Sequence, residues 1–300
     1  MSTYHTPVML QECIEGLAIK PAGTYVDVTF GGGGHSREIL KHLNKDGKLL
    51  AFDQDADAQQ NVIDDERFVF IDQNFRYLKN FCRLHDALPV DGILADLGVS
   101  SYQFDEAERG FSIRFDAELD MRMNRQSALT AKEVVNNYPE AELHRIFGIY
   151  GEIQNAKSLA NTIATARLNA PIVTVADLKN AISNRIPRGK ENKYLAQVFQ
   201  ALRIEVNQEL EALKDFLTQT ADVLVSGGRL VVMSYHSLED RLVKNFIAKG
   251  KFSGEVEKDF YGNDNKPFDA VSRGAITASD EEIKNNNRAR SAKLRIAVKK

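Results

Sequence analysis

Four consecutive glycines, residues 31–34, constrain this chain more than any other feature of its sequence. They follow a β-rich segment, residues 24–29, and precede a segment with helical spacing, residues 36–43. Open α/β sheets bind nucleotides at such junctions, at the carboxyl edge of their strands. Glycine suits them because a side chain would block the backbone from a ligand and because tight turns use positive φ. We therefore predict a nucleoside-binding loop, with a plain structural turn as the alternative.

The first hundred residues alternate short apolar runs with helical patterns. The runs occupy residues 48–52, 68–71 and 90–95. Strands separated by helices form βαβ units and a parallel sheet. This half of the chain therefore predicts an open α/β sheet.

The pattern changes after Gln103 and is helical over most of residues 139–219. An apolar stripe from Leu195 to Leu217 is expected to leave the helical segment, pack on the sheet and stop at the glycine pair 227–228. Thr174 begins a capping-box pattern. Beyond the stripe the sequence predicts strands over 229–234, near 270–277 and over 293–298, and helices over 238–248 and after Ser279.

These patterns predict one α/β sheet domain interrupted by a helical insertion, not two domains in tandem. We place the sheet domain at residues 1–104 and 205–300, and the insertion at residues 105–204.

The glycine loop excludes two common ligands. A phosphate-binding P-loop needs Gly-Lys-Ser/Thr, whereas Gly34 is followed by His35, Ser36 and Arg37. The dinucleotide pattern needs a third glycine where Ser36 stands. Asp53 directly follows the second apolar run, where a carboxylate accepts hydrogen bonds from both ribose hydroxyls. The combination suits an adenosine-containing ligand, and a solvated Asp53 is the alternative.

A second carboxylate, Asp96, ends the fourth predicted strand and precedes Leu-Gly-Val-Ser-Ser. This position faces the reacting end of a ligand bound at the glycine loop. The same segment also suits a helix N-terminus, because Ser100 and Ser101 are good N-caps. Both interpretations stay open.

Composition limits the cellular location and the kinds of ligand that we expect. No apolar run reaches the ~18 residues of a membrane helix, and the N-terminus has no secretory pattern. Two cysteines, Cys13 and Cys82, provide neither a disulfide framework nor a usual zinc site. We expect a cytoplasmic protein without membrane or metal. With a net charge of −3, any nucleic acid must be bound by local patches.

Two basic clusters are candidate phosphate contacts, with ordinary solvated surface as the alternative. The first follows the last acidic residue, Glu282, and comprises Lys284, Arg288, Arg290, Lys293, Arg295, Lys299 and Lys300. The second lies in the insertion and comprises Arg185, Arg188, Lys190 and Lys193.

Several motifs together resemble one family. They include TFGGGGHS at 29–36, DLGVSSYQ at 96–103, FQALRI at 199–204, SYHSLEDR at 234–241 and RARSAKLR at 288–295. They are similar to the bacterial small-subunit (16S) rRNA cytosine-N4 methyltransferases, the MraW (RsmH) family, in the family's order from residue 5 to residue 295. The resemblance implies a class I S-adenosylmethionine-dependent methyltransferase fold (a Rossmann-like, doubly wound, mostly parallel sheet) with an inserted helical domain for RNA recognition.

The resemblance also implies ligands and site residues. The methyl donor is S-adenosyl-L-methionine, and the substrate is a cytidine in the decoding region of 16S rRNA within the small ribosomal subunit. Cofactor-binding positions carried over from the family are Gly33, Gly34, His35, Asp53, Phe75, Asp96 and Gln103. A homodimer is left open.

Methylation of a cytosine amine needs an acceptor for an amine proton. Asp96 is the first candidate, and His236 with Tyr235 is the second, although a lone histidine is more often structural. His5 is either a lid over the cofactor or a satisfied contact. Tyr102 and Phe104 would stack on the target base or belong to the core. Two other functions compete: a nicotinamide-dependent dehydrogenase and a non-catalytic RNA-binding module.

Overall fold

A computed structural model describes residues 7–100, 103 and 106–300 of the chain. His5, Tyr102 and Phe104 therefore lie outside the described residues. The chain forms two compact units, Met1–Gly98 with Leu210–Lys300, and Val99–Glu209. The division of function between a sheet domain and an RNA-recognising insertion stays a prediction.

The first unit is built on a seven-stranded sheet in the order β3-β2-β1-β4-β5-β7-β6. Its strands are β1 (Thr24–Asp27), β2 (Lys48–Phe52), β3 (Phe68–Ile71), β4 (Val90–Asp96), β5 (Leu224–Ser234), β6 (Phe268–Ala270) and β7 (Lys293–Lys299). The first five strands are parallel, and β7 is antiparallel to both β5 and β6. The predicted α/β fold with a mostly parallel sheet is confirmed.

Helices of the first unit connect and cover these strands. They are α1 (Leu10–Leu17), α2 (Gly34–His42), α3 (Leu78–Leu84), α9 (Glu209–Val223), α10 (Ser237–Lys249) and α11 (Asp280–Asn285). Short 3₁₀ helices cover Ala56–Asn61, Phe75–Tyr77 and Asn287–Ser291.

Alternate strand residues enter two different hydrophobic clusters, one on each face of the sheet. Val26 and Leu50 belong to one cluster, whereas their neighbours Tyr25 and Leu49 belong to the other. A parallel sheet covered on both faces buries its backbone polar groups and leaves the strand ends as the accessible positions for ligands.

The predicted strands at 48–52 and 68–71 have the observed bounds, but three other details were wrong. The strand near 270–277 is only Phe268–Ala270. Gly227 and Gly228 lie inside β5, where the register with β4 shifts between Val90 and Gly92. The helix before β5 already ends at Val223.

The long apolar stripe spans two helices. The helix Glu191–Asn207, α8, ends where Gln208 adopts a left-handed conformation with φ of 50°, and α9 follows. Leu213 and Leu217 of α9 lie in one of the two clusters of the sheet, as predicted.

The second unit is helical. Its helices are α4 (Ala131–Asn137), α5 (Glu140–Ile149), α6 (Ala156–Ala166), α7 (Val175–Ile182) and α8, with 3₁₀ turns at Ala107–Arg109 and Ser183–Arg185. Thr174 caps α7 in the predicted capping box with Asp177. None of the helices in the described parts of the chain is long and apolar enough to span a membrane.

Candidate active site at the carboxyl edge of the sheet

The strand order reverses between β1 and β4, which are neighbours in the sheet. In open α/β sheets, ligands bind in the crevice at this switch point, beyond the carboxyl ends of the strands. Three aspartates lie at this edge: Asp27 ends β1, Asp96 ends β4, and Asp53 directly follows β2. The carboxyl edge of the first unit is therefore the candidate site.

The glycine loop joins β1 to α2. Gly33 has φ of 75°, and a Cβ there would lie 2.7 Å from the guanidinium of Arg37 and 2.8 Å from the ring of Phe30. A Cβ at Gly34 would lie 2.3 Å from Pro7. These contacts explain two of the four glycines by packing alone, without any ligand.

Two side chains hold the carbonyls of this loop. The Arg37 guanidinium donates to the carbonyl of Gly32 at 2.6 Å and to that of Asn61 at 3.0 Å. The Asn61 amide in turn donates to the carbonyl of Gly31 at 3.1 Å. The loop is thereby fixed to the segment that follows β2, which also carries Asp53.

Asp53 is held by backbone N–H groups. Its Oδ2 accepts from Gly31 at 2.8 Å and its Oδ1 from Asp55 at 2.9 Å. Burial is the main cause that raises the pKa of Asp53 to about 7, against the opposing effect of these two N–H donors. Each carboxylate oxygen keeps a second lone pair. Asp53 can therefore accept two further hydrogen bonds, and does so best when ionised.

Asp27 bonds to residues on both sides of the glycine loop. It is 1% exposed and accepts hydrogen bonds from the Ser36 hydroxyl at 2.6 Å and from the N–H of Thr29 at 3.1 Å. Burial raises its pKa. The Thr29 hydroxyl also accepts from the backbone N–H of Asp96 at 2.7 Å, which joins the ends of β1 and β4.

Asp96 is held by side chains instead. Its Oδ1 accepts from the Tyr235 hydroxyl at 2.7 Å, and its Oδ2 lies 4.0 Å from Nδ1 of His35. Its side chain is 24% exposed. Burial raises the pKa of Asp96 to about 6, while His35 and Tyr235 act in the opposite direction. Asp96 is therefore a carboxylate that can gain and lose a proton near neutral pH.

His35 lies in the first turn of α2 and is 6% exposed. Its Nε2 lies 3.2 Å from the carbonyl of Val8, and because a carbonyl only accepts, this hydrogen bond requires the proton on Nε2. The ring is thereby oriented with Nδ1 towards Asp96.

His236 is the N-cap of α10, and both of its ring nitrogens lie against Glu239. Nδ1 accepts from the N–H of Glu239 at 3.4 Å, and Nε2 lies 3.2 Å from the carboxylate. This position fits the structural role that is usual for a lone histidine. A catalytic role for His236 stays a prediction.

Comparison with known proteins decides the family. The profile of the MraW methylase family matches residues 2–300. The chain belongs to the MraW methylase family. Ribosomal RNA small subunit methyltransferase H from Cytophaga hutchinsonii is 62% identical over 296 residues, covering 98% of this chain and 99% of that protein. The proteins of the same name from Christiangramia forsetii and Bacteroides thetaiotaomicron are 59% and 55% identical, each covering 99% of this chain and 98% of its own.

The remaining predicted cofactor residues of this MraW-family chain lie in different places. Phe75 follows β3 and packs edge-on against Phe216, with ring centroids 5.5 Å apart. Its neighbour Asn74 donates to Gln54 at 2.8 Å, which ties the segment after β3 to the one after β2. The predicted binding roles themselves stay predictions.

Gln103 lies in the second unit, where it is 5% exposed. Its Oε1 accepts from the N–H of Ser100 at 3.0 Å, and its N–H donates to the Ser100 hydroxyl at 3.2 Å. These are the two reciprocal hydrogen bonds of a capping box, and they agree with the N-cap interpretation of Ser100.

Four residues that hold the site together were not predicted from the sequence: Asp27, Arg37, Asn61 and Glu239. Asp27 could have been found, because it ends a strand beside the glycine run just as Asp96 ends β4. Arg37 and Asn61 carry no such signal, since their bonds depend on where the segment after β2 folds.

The two basic clusters differ in their partners. In the C-terminal cluster, Arg295 and Lys293 bond to Asp240 at 2.7 and 3.4 Å, and Lys300 lies 3.8 Å from Asp269. In the insertion, Arg188, Lys190 and Lys193 are exposed, and no carboxylate among the described residues pairs with them.

Proposed function

We propose that this chain transfers a methyl group from S-adenosyl-L-methionine to the exocyclic N4 amine of a cytidine in the decoding region of 16S rRNA, within the small ribosomal subunit in the cytoplasm. The observation that carries the proposal is the gathering of Asp27, Asp53 and Asp96 around one glycine loop at the switch point of the sheet. The names of the relatives, which specify ribosomal RNA of the small subunit, support the substrate class.

The residues of the site fit the donor by the chemistry of their free groups. Asp53 would accept hydrogen bonds from the two ribose hydroxyls, since each of its oxygens has a lone pair left. Gly33, Gly34 and His35 would lie along the donor, and Phe75 would lie near the adenine. The absence of a third glycine at Ser36 opposes the nicotinamide alternative.

When bound, S-adenosyl-L-methionine supplies an electrophilic sulfonium methyl, whose bonding electrons stay on sulfur as the methyl leaves. The cytosine amine is a weak nucleophile because its lone pair is delocalised into the ring. Asp96, ionised at neutral pH, would accept a hydrogen bond from this amine and then the proton that the amine loses on forming its new C–N bond. Charge and atoms balance, because one proton passes to Asp96 for each methyl transferred.

We propose that the insertion, residues 105–204, recognises RNA and that Arg188, Lys190 and Lys193 contribute phosphate contacts. Their charges are not neutralised within the described part of the chain, whereas Lys293 and Arg295 share Asp240. The target base must be splayed out of any helix, because stacking and pairing hide its amine.

Mass spectrometry of rRNA nucleosides tests the reaction. Small subunits that lack the modification are incubated with the purified protein and labelled donor, and N4-methylcytidine is expected at one site in the decoding region. Methylation at another cytosine atom would overturn the N4 assignment. Donor binding without any product would instead favour a non-catalytic RNA-binding module, and binding of a nicotinamide cofactor would favour a dehydrogenase.

The salt dependence of RNA binding tests the basic cluster. Replacing Arg188, Lys190 and Lys193 by alanine should lower the slope of log K against log salt by about 0.7–0.9 for each phosphate that the variant no longer neutralises. Lys293→Ala is the matched control, since that lysine is paired with Asp240. An equal decrease of slope in both variants would contradict the assignment.

A further inference from the structure

Tyr235 is the residue that joins the end of β5 to the proposed proton acceptor. Its hydroxyl donates to Oδ1 of Asp96 at 2.7 Å, although the two residues are far apart in sequence. Its ring lies beside Gly98, where a Cβ would be 3.5 Å from the ring carbon Cδ2. The hydroxyl of Tyr235 thus bonds to the last residue of β4, and its ring lies beside Gly98, two residues further along the chain.

The backbone of Tyr235 is itself anchored. Its N–H donates to Oε2 of Glu239 at 2.9 Å, and Glu239 is 3% exposed in the first turn of α10. His236, between them in sequence, caps the same helix turn. A change in the first turn of α10 would therefore move the phenol relative to Asp96.

Tyr235 donates to one carboxylate oxygen only. The other oxygen of Asp96, Oδ2, faces Nδ1 of His35 at 4.0 Å, beyond ordinary hydrogen-bond distance. Burial raises the pKa of the Tyr235 phenol, so it remains a protonated donor across the working range of pH. A donor that never loses its proton stabilises the ionised form of its partner at every pH.

We propose that Tyr235 is a positioning residue for methyl transfer: its hydroxyl fixes the Asp96 carboxylate and favours its ionised form, which leaves Oδ2 to accept the proton of the substrate amine. The inference rests on the proposed function and deepens it. Tyr235 touches neither substrate nor donor in this role.

Several charged or titratable groups besides Tyr235 surround Asp96 and also affect its ionisation. His35 faces it from α2, Asp27 from β1, Glu239 from α10 and Cys13 from α1. Asp27 and Glu239 oppose ionisation of Asp96 by charge, while His35 and Tyr235 favour it. Removal of the Tyr235 hydroxyl leaves these other groups in place, and the ionised form of Asp96 becomes less stable.

The pH dependence of a single turnover tests the proposal. In the wild type, the rate should reach half of its maximum near the pKa of Asp96, at about 6. In Tyr235→Phe the midpoint should rise by about one pH unit, since a hydrogen bond to a charged group stabilises it by roughly that amount. The rate at pH 6 should then fall about fivefold and recover at pH 8 to within about twofold.

Tyr25→Phe is the matched control, because Tyr25 is a buried tyrosine of the same sheet whose hydroxyl accepts from the N–H of Lys20 at 2.7 Å. Its pH profile should not move. Carbon-13 NMR titration of aspartate-labelled protein, with Asp96 assigned through Asp96→Asn, should show a higher pKa for Asp96 in Tyr235→Phe without requiring turnover. Glu239→Gln retains an acceptor for the Tyr235 N–H but removes a charge that opposes ionisation of Asp96, so its midpoint should lie at or below that of the wild type. Glu239→Ala removes the same charge and also the acceptor, so its midpoint should lie above that of Glu239→Gln.

A midpoint that stays at the wild-type pH in Tyr235→Phe would overturn the proposal, whether the rate is unchanged or lower by one factor throughout. Wild-type protein that forms no N4-methylcytidine would refute the proposed function instead. The NMR titration separates the two failures, since it measures the effect of Tyr235 on Asp96 in the absence of substrate.

Discussion

The ends of β2 and β4 each carry a carboxylate whose pKa is raised by burial, yet the two are held in different ways. Asp53 is bonded to the backbone N–H groups of Gly31 and Asp55. Asp96 is bonded to the side chain of Tyr235 and faces that of His35. Backbone donors have fixed protons and fixed positions, whereas phenol and imidazole groups can be tuned by substitution. The proposed function accordingly assigns donor binding to the β2 end and proton transfer to the β4 end.

Asp96→Asn has the largest expected effect. Loss of a positioned general base costs typically 10²–10⁴-fold, so single-turnover methylation should fall by about 10³-fold. Donor affinity, measured by calorimetry, should fall much less than this rate. An equal loss of donor affinity and of methylation rate would contradict the assignment of proton transfer, and not donor binding, to Asp96.

Asp53→Ala should lower the affinity for the donor more than the rate of methylation. Removing one charge-assisted hydrogen bond costs about 2 kcal/mol, so donor affinity should fall by roughly 30-fold or more. The rate at saturating donor should remain close to that of the wild type. Calorimetric titration and single-turnover kinetics on the same preparation give both numbers, and a rate loss larger than the affinity loss would contradict the assignment.

The pH dependence of donor binding tests the binding role assigned to Asp53. Ribose hydroxyls favour the ionised carboxylate, and the pKa of Asp53 is raised to about 7, so binding should release a proton below that pH. Affinity should rise about tenfold from pH 6 to pH 8. Titration in two buffers of different ionisation enthalpy detects the released proton. Asp53→Asn should abolish both effects, and a flat profile in the wild type would refute the role of Asp53.

The smallest expected effect is on the stability of the ligand-free protein. The pKa of Asp53 in the folded state lies above its unfolded value of about 4, so the folded state binds more protons between these values. This group therefore destabilises the fold as pH rises from about 4 through about 7. Asp53→Asn should show a smaller decline of Tm between pH 5 and pH 8, by a few degrees. Parallel declines would exclude this linkage.

Much of the fold followed from local pattern. The strands at 48–52 and 68–71 were predicted with their observed bounds, because parallel strands buried on both faces appear as continuous apolar runs. Ser279 caps α11 as its sequence predicts. The apolar stripe from Leu195 to Leu217 gave no sign of the helix boundary within it, since Gln208 ends the helix without glycine or proline and leaves the hydrophobic pattern continuous.

The sequence predicted where the candidate carboxylates of the site lie. Asp96 ends β4 and Asp53 directly follows β2, as the apolar runs indicated, and the resemblance added Phe75; the roles of all three stay predictions. The pairing of charged side chains was less predictable. Lys293 and Arg295 follow the last acidic residue in sequence, yet Asp240 from an earlier helix pairs with both. A count of charges along the chain cannot show which of them have partners in space.

The sequence by itself determined the family, the α/β class and the glycine loop, because these depend on residues close together in the chain. Only the tertiary structure decided that Tyr235 donates to Asp96 and that Asn61 holds the loop. Such bonds join segments that meet when the sheet assembles, and burial at that edge then raises the pKa values of its carboxyl groups. Neither proximity nor burial is encoded at any single position.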